Sequence, residues 1–267
     1  MPVVETTTAP YARTVRTESG GPGLLLAHGA GGSVETNFGT VLEELAARFG
    51  VVGVDYPGTG DTPRADEPLR LDELADQLVA AADAEGLETF AVLGYSLGGN
   101  VAVRIASRHP ERVTALVLTA TFARASNRLE LLGGLWRQLA ERDERELTAS
   151  LLVPLAVNPA VLDGLTPAQV DQLVRDTAGS VPPGTADHVA LLEGADLRSE
   201  IAALDVPSLV IATTEDLLVP LPLQRELADV LPGARLAELS TGHLPFAERP
   251  AEWAALVSDF LRATAER

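Results

Sequence analysis

Short apolar runs alternate with amphipathic ones along most of this chain, and the two patterns predict different elements. Residues 23–29 (GLLLAHG), 51–58 (VVGVDYPG), 89–95 (TFAVLGY), 112–121 (RVTALVLTAT) and 206–216 (VPSLVIATTED) are nearly continuous apolar runs, the signature of strands buried on both faces. Apolar residues spaced three and four apart mark helices over 37–50, 69–86, 98–110, 221–233 and 250–266, with Gly50 and Gly86 as glycine stops and Pro110 as a terminator. Two opening strands, 3–10 and 11–18, flank a proline turn, and another strand covers 234–241. The alternation predicts an α/β fold: a mostly parallel, doubly wound sheet of about eight strands with helices on both faces.

Between residues 122 and 200 the rhythm fails. No strand pattern appears there, only helical stretches such as 128–152 and 166–179 punctuated by Pro and Gly. The expected organisation is a core domain from 1–121 and 201–267, interrupted by a helical cap over 122–200. No internal repeat or low-complexity tract is present.

Composition narrows the class of function. A chain of 267 residues with 46% hydrophobic and 22% charged residues can fill a large core and does not read as disordered. The net charge of −18 repels phosphate backbones and anionic lipids, so neither nucleic acid nor a membrane surface is expected as a partner. The opening residues MPVVETTTAP do not read as a secretory leader, and no segment reaches the roughly 18 apolar residues of a membrane helix. A cytoplasmic location is expected. The absence of cysteine excludes disulfides and thiolate ligands. No H-E-x-x-H pair, G-x-G-x-x-G loop or Walker lysine occurs, and neither a metal nor another cofactor is expected.

Chemistry concentrates where strands end. In a parallel sheet the loops at the carboxyl ends of the strands share one edge, so residues distant in sequence meet there. Ser96 follows the strand at 89–95 within LGYSLGGN, with glycine on both sides; a serine serving only as a helix cap needs no such neighbours. Asp216 follows the strand at 206–216 and His243 follows the strand at 234–241. Nucleophile, acid and base therefore occur in the order Ser, Asp, His. Glu215 is an adjacent alternative to Asp216, but successive positions of an extended segment face opposite sides, so only one should reach the histidine.

With these features the chain resembles the α/β-hydrolase family. Gly94-Tyr95-Ser96-Leu97-Gly98 matches the family's nucleophile elbow G-x-S-x-G, and the Ser, Asp, His order is the family's own. HGAGG at 28–32, DYPGTGDT at 55–62, EDLLVP at 215–220 and TGHLPFAERP at 241–250 extend the likeness across nearly the whole chain. Thr62 stands where the family usually has Ser. The resemblance implies that Ser96, Asp216 and His243 are catalytic, and that the backbone N–H groups of Ala30 and Leu97 form an oxyanion hole. The spacing to Pro220 favours Asp216 over Glu215. His28 is expected to order the oxyanion loop, Asp55 to hold the PGTG loop, and His109 and His188 to be structural.

Substrate choice is expected to lie in the cap. Leu131, Leu132, Leu135, Trp136 and Leu139 recur at helical spacing, mostly as packing; Trp136 and Leu135 from this stripe, with Tyr95 beside the serine, are the candidate substrate contacts. The leading expectation is a serine hydrolase of a small or medium, apolar carboxylic ester, lactone or thioester. A non-hydrolytic enzyme using the same triad, such as a cofactor-free haloperoxidase or a cyclising acyltransferase, and a ligand-sensing protein with low turnover stand beside it. The natural substrate, the acceptor that resolves the acyl-enzyme, and the oligomeric state are left open.

Overall fold

The computed structural model of the protein describes residues 4–5, 11, 13–16 and 21–265. Its strands are β1 (Val4–Glu5), β2 (Arg13–Arg16), β3 (Gly23–Ala27), β4 (Gly50–Val54), β5 (Phe90–Tyr95), β6 (Val113–Thr119), β7 (Ser208–Thr213) and β8 (Arg235–Leu239). They form one eight-stranded sheet in the order β1-β2-β4-β3-β5-β6-β7-β8. β2 is antiparallel to both neighbours, and every pairing from β4 to β8 is parallel. The proline turn expected between the first two strands lies outside the described residues.

The continuous apolar strands have the burial that their pattern requires. Leu25, Val52, Val92, Leu116 and Val210 join one buried cluster, while Leu24, Val51, Leu93, Val117 and Leu209 join the other. Adjacent residues on a strand thus serve opposite faces. Helices α2 (Leu71–Ala84), α3 (Leu97–Arg108) and α10 (Leu221–Val230) cover the first face. Helices α1 (Val34–Ala46) and α12 (Pro250–Ala265) cover the second, where Trp253 is fully buried and donates from Nε1 to Thr119 Oγ1 at 3.0 Å.

One expected boundary is corrected. Gly50 does not stop α1; it is the first residue of β4. The helix instead ends at Ala46 and begins at Val34, ahead of the expected start, because Ser33 and Thr36 form a reciprocal capping box. Gly86, with φ of 70°, does follow the end of α2 in the left-handed conformation of a helix stop.

Between β6 and β7 lie α4 (Asn127–Glu141), α5 (Arg145–Ala156), α6 (Pro159–Asp163), α7 (Pro167–Ser180), α8 (Thr185–Ala190) and α9 (Arg198–Ile201). The continuous helical pattern over 128–152 is broken where Asp143 adopts φ of 53°, separating α4 from α5. The two ends of the inserted segment are tied by an isolated antiparallel bridge, Arg124 to Asp196, with Ala125 N donating to Ala195 O at 2.8 Å and Leu197 N to Ala123 O at 2.9 Å. No helix among the described residues is long and apolar enough to cross a membrane.

Candidate active site

Ser96 occupies the single residue between β5 and α3, with φ of 53° and ψ of −119°. A non-glycine residue in this region is strained and is held there by its surroundings. Its N–H donates to Thr119 O and its carbonyl accepts from Gly99 N, both at 2.9 Å, and its hydroxyl does not cap the helix. The flanking glycines permit the turn for a steric reason. A Cβ at Gly98 would run into the Ala27 carbonyl, and one at Gly94 would run into the backbone of Gly98 and Gly99. The start of α3 therefore packs directly on β3 and β5, which presents the Ser96 hydroxyl above the carboxyl edge of the sheet.

The loops after β7 and β8 bring the other two groups to that hydroxyl. His243 Nε2 lies 3.1 Å from Ser96 Oγ, and His243 Nδ1 lies 2.7 Å from Asp216 Oδ2. Asp216 is itself fixed. Its Oδ1 accepts from Leu218 N at 2.9 Å and Val219 N at 2.8 Å, and its Oδ2 accepts from Thr213 Oγ1 at 2.9 Å. Gln224 Nε2 donates to Thr213 Oγ1 and to Val219 O. An acceptor so arranged requires the proton on His243 Nδ1, leaving Nε2 to accept from the serine. Glu215 is turned away, where its carboxylate accepts from Thr214 Oγ1 at 3.0 Å. Of the two adjacent acids, the histidine meets Asp216.

Ala30 lies in the loop after β3, and Leu97 is the first residue of α3. Among the described residues neither backbone N–H finds a hydrogen-bond acceptor. The Ala30 loop is held from three directions. Asn37 Oδ1 accepts from Gly29 N at 2.8 Å. His28 accepts from Tyr56 N at Nε2 (3.0 Å), so its Nδ1–H donates to Gly29 O (2.8 Å). His188, from α8 in the inserted segment, accepts from Gly31 N at Nδ1 (3.2 Å) and donates from Nε2 to Pro57 O (3.0 Å). Both rings are buried and neutral. Burial, followed by the proximity of His188, lowers the pKa of His28 to about 3; burial lowers that of His188 to about 4. Asp55 Oδ1 accepts from Val34 N at 2.7 Å, at the start of α1. His109 is the C-cap of α3, with Nε2 3.6 Å from Asp76 Oδ1.

Two cavities meet at Ser96 and share Trp136 and Leu218. One, of about 40 Å³, is lined by Phe122, Leu132, Val189 and Val219. The other, of about 260 Å³, is lined by the Ala30 loop, Tyr95, His243, Val153, Leu173 and Phe246. Tyr95 contributes its ring, while its buried hydroxyl donates to His243 O at 3.0 Å and, with its pKa raised by burial and by the Asp216 and Glu248 carboxylates, stays protonated. The apolar stripe expected on α4 is corrected in part. Leu132 and Trp136 of that stripe line the cavity, with Leu129 and Gly133 beside them, whereas Leu131 and Leu135 are 78% and 45% exposed and Leu135 lines neither cavity. Spacings of three and four residues place both sets on stripes of one helix, so spacing alone did not choose the buried one.

Sequence reasoning missed Asn37, Thr213 and Gln224. A faint signal existed for Gln224, an amide on the apolar face of α10 that is fully buried. Nothing in a single sequence links Asn37 to the Ala30 loop.

A family model for the alpha/beta hydrolase fold matches residues 22–250. The chain is 32% identical over 243 residues to a pyrrolizixenacetamide deacetylase of Xenorhabdus hominickii, covering 90% of this chain and 91% of the relative. It is 30% identical over 247 residues to a pimeloyl-[acyl-carrier protein] methyl ester esterase of Neisseria meningitidis, covering 89% and 93%. The crystal structure of an enol-lactonase from Burkholderia xenovorans LB400 superposes with a TM-score of 0.84 at 23% identity, over 97% of this chain and all of that one, which shows the shared fold. With the family model spanning most of its length and full-length relatives at this level of identity, the chain is an enzyme of the α/β-hydrolase family.

Proposed function

We propose that the protein is a serine hydrolase that cleaves a carboxylic ester or related acyl bond of a small, apolar molecule through an acyl-enzyme. The observation that carries this reading is the unbroken chain of hydrogen bonds from Ser96 through His243 to Asp216, set beside two backbone N–H groups with no acceptor among the described residues. The names of the two sequence relatives, a deacetylase and a methyl ester esterase, support it.

The roles follow from the atoms. Ser96 Oγ attacks the carbonyl carbon as His243 Nε2 takes its proton, and Asp216 stabilises the imidazolium that results. The N–H groups of Ala30 and Leu97 hold the oxyanion of the tetrahedral intermediate, each contributing about 3 to 4 kcal/mol by the measure of single donors removed from comparable sites. As the intermediate collapses, the bond to the leaving group breaks and His243 gives the proton to the departing oxygen or nitrogen. Water, deprotonated by His243, then attacks the acyl-enzyme and restores Ser96. The helices between residues 122 and 200 act as a cap over this site.

A fluorophosphonate probe should add one label to the intact protein, located on Ser96 and absent from Ser96→Ala. That substitution should also lower ester turnover by a factor on the order of 10⁶. A protein that takes no label at any pH tried, from about 6 to 9, is not a serine hydrolase.

A further inference from the structure

The two cavities at Ser96 differ in what they touch as well as in size, and that difference orients the substrate. A tetrahedral carbon bonded to Ser96 Oγ carries three other substituents: the oxyanion, the leaving group and the acyl chain. The oxyanion must point to Ala30 N, and the leaving atom must lie within reach of His243 Nε2 to receive its proton. Both the Ala30 loop and His243 line the cavity of about 260 Å³, and neither lines that of about 40 Å³. The small cavity is thus the remaining direction, the place of the acyl chain.

On the serine-hydrolase reading above, we infer that the enzyme is built for a short, uncharged acyl group joined to a larger apolar leaving group, rather than for a long acid joined to a small alcohol. The acyl slot is lined by the ring of Trp136 and by Phe122, Leu132 and Val189, and it is less than one sixth the size of its neighbour. It therefore takes a short acyl group, since chains that overfill a packed apolar site displace its walls. Glu130 and Glu193 also line the slot. Glu193 is held by Arg137 at 2.6 Å and Glu130 by Gly194 N at 2.8 Å, so both carboxylates remain in place to repel a second anion on the acyl chain. Among the described residues that line it, the larger chamber holds no Arg, Asp or Glu, and its titratable side chains are those of His243 and Tyr95. It offers an alcohol apolar surface from Leu152, Val153, Leu173 and Phe246.

A pair of isomeric esters tests the orientation without changing size or hydrophobicity. Hexyl acetate and methyl heptanoate share one formula and place the long chain on opposite sides of the scissile bond. Hexyl acetate should have the higher kcat/KM by at least about tenfold, the discrimination that misplaced methylenes produce in a shaped apolar site. Leu132→Ala, which lengthens the slot, should shift the ratio toward methyl heptanoate by about fivefold or more. Equal cleavage of the two esters, or preference for methyl heptanoate, overturns the inference. Fluorophosphonate labelling of the same protein separates the causes: label on Ser96 with the wrong ester preference removes this inference alone, whereas neither label nor cleavage of either ester removes the serine-hydrolase reading with it.

Discussion

Asp216 accepts two backbone N–H groups on one carboxylate oxygen and meets Thr213 and His243 with the other, whereas Glu215 accepts from the neighbouring Thr214 at the surface. Asparagine at 216 keeps the shape but offers the histidine an amide, which selects the wrong tautomer. Asp216→Asn should cost up to about 10⁴ in kcat, and Glu215→Gln should cost little. Steady-state kinetics of the two variants check this, and a reversed order would move the acid to Glu215. Gly98 makes a purely steric prediction. A methyl group there meets backbone rather than a movable side chain, so Gly98→Ala should destabilise the protein by about 2 kcal/mol or more, read as a shift of the urea midpoint.

At the scale of elements, the site depends on the way α3 starts on top of β5 and on the contact that α8 makes with the loop after β3. His188 reaches out of α8 to accept the Gly31 N–H, next to the Ala30 N–H that would face the oxyanion, and anchors its other nitrogen on Pro57 O. On the proposed mechanism it acts through the loop, as a positioning residue. His188→Ala should lower kcat by up to about 10²-fold with a smaller change in KM, because misplacing an oxyanion donor weakens the transition state more than the bound ester. An increase in KM with kcat unchanged would assign His188 to substrate binding instead. The α5 segment makes a similar contact on the other side, where His243 N donates to Ala156 O at 2.7 Å and Leu217 N to Leu155 O at 3.2 Å. The inserted helices thus brace the loops that carry His243, Asp216 and Ala30.

At the scale of the whole molecule, the two neutral buried histidines link folding to pH. Their folded pKa values, about 3 for His28 and about 4 for His188, lie below the ordinary value of 6.5. Between these limits the unfolded chain binds protons that the native chain does not, so stability is fully present above about pH 6.5 and is lost as pH falls toward 4. The slope reaches about 1.4 kcal/mol per pH unit for each histidine. Urea unfolding at about pH 7 and pH 5 should show the loss, above the range of ordinary carboxylates, and His188→Gln should flatten it by about one proton. A pH-independent midpoint would mean that the rings take up protons without unfolding. The net charge of −18 adds a second dependence. Raising salt from about 0.01 M to 0.15 M shortens the Debye length from about 30 Å to 8 Å and screens the self-repulsion, so the Tm should rise.

The sequence by itself determined the strand order along the chain, the buried character of β3 to β7 and the elbow at Ser96, because a strand covered on both faces needs an unbroken apolar run and a turn this tight needs glycine at 94 and 98. It also placed Asp216 and His243 just beyond strands, which fixes their edge of the sheet. The spacing to Pro220 already favoured Asp216 over Glu215; which leucines of α4 turn inward and how Asn37, Gln224 and His188 brace the site were decided only by the tertiary structure. Those outcomes depend on packing between segments up to 157 residues apart, as in the bond from Gly31 to His188, and no local periodicity encodes a contact at that range.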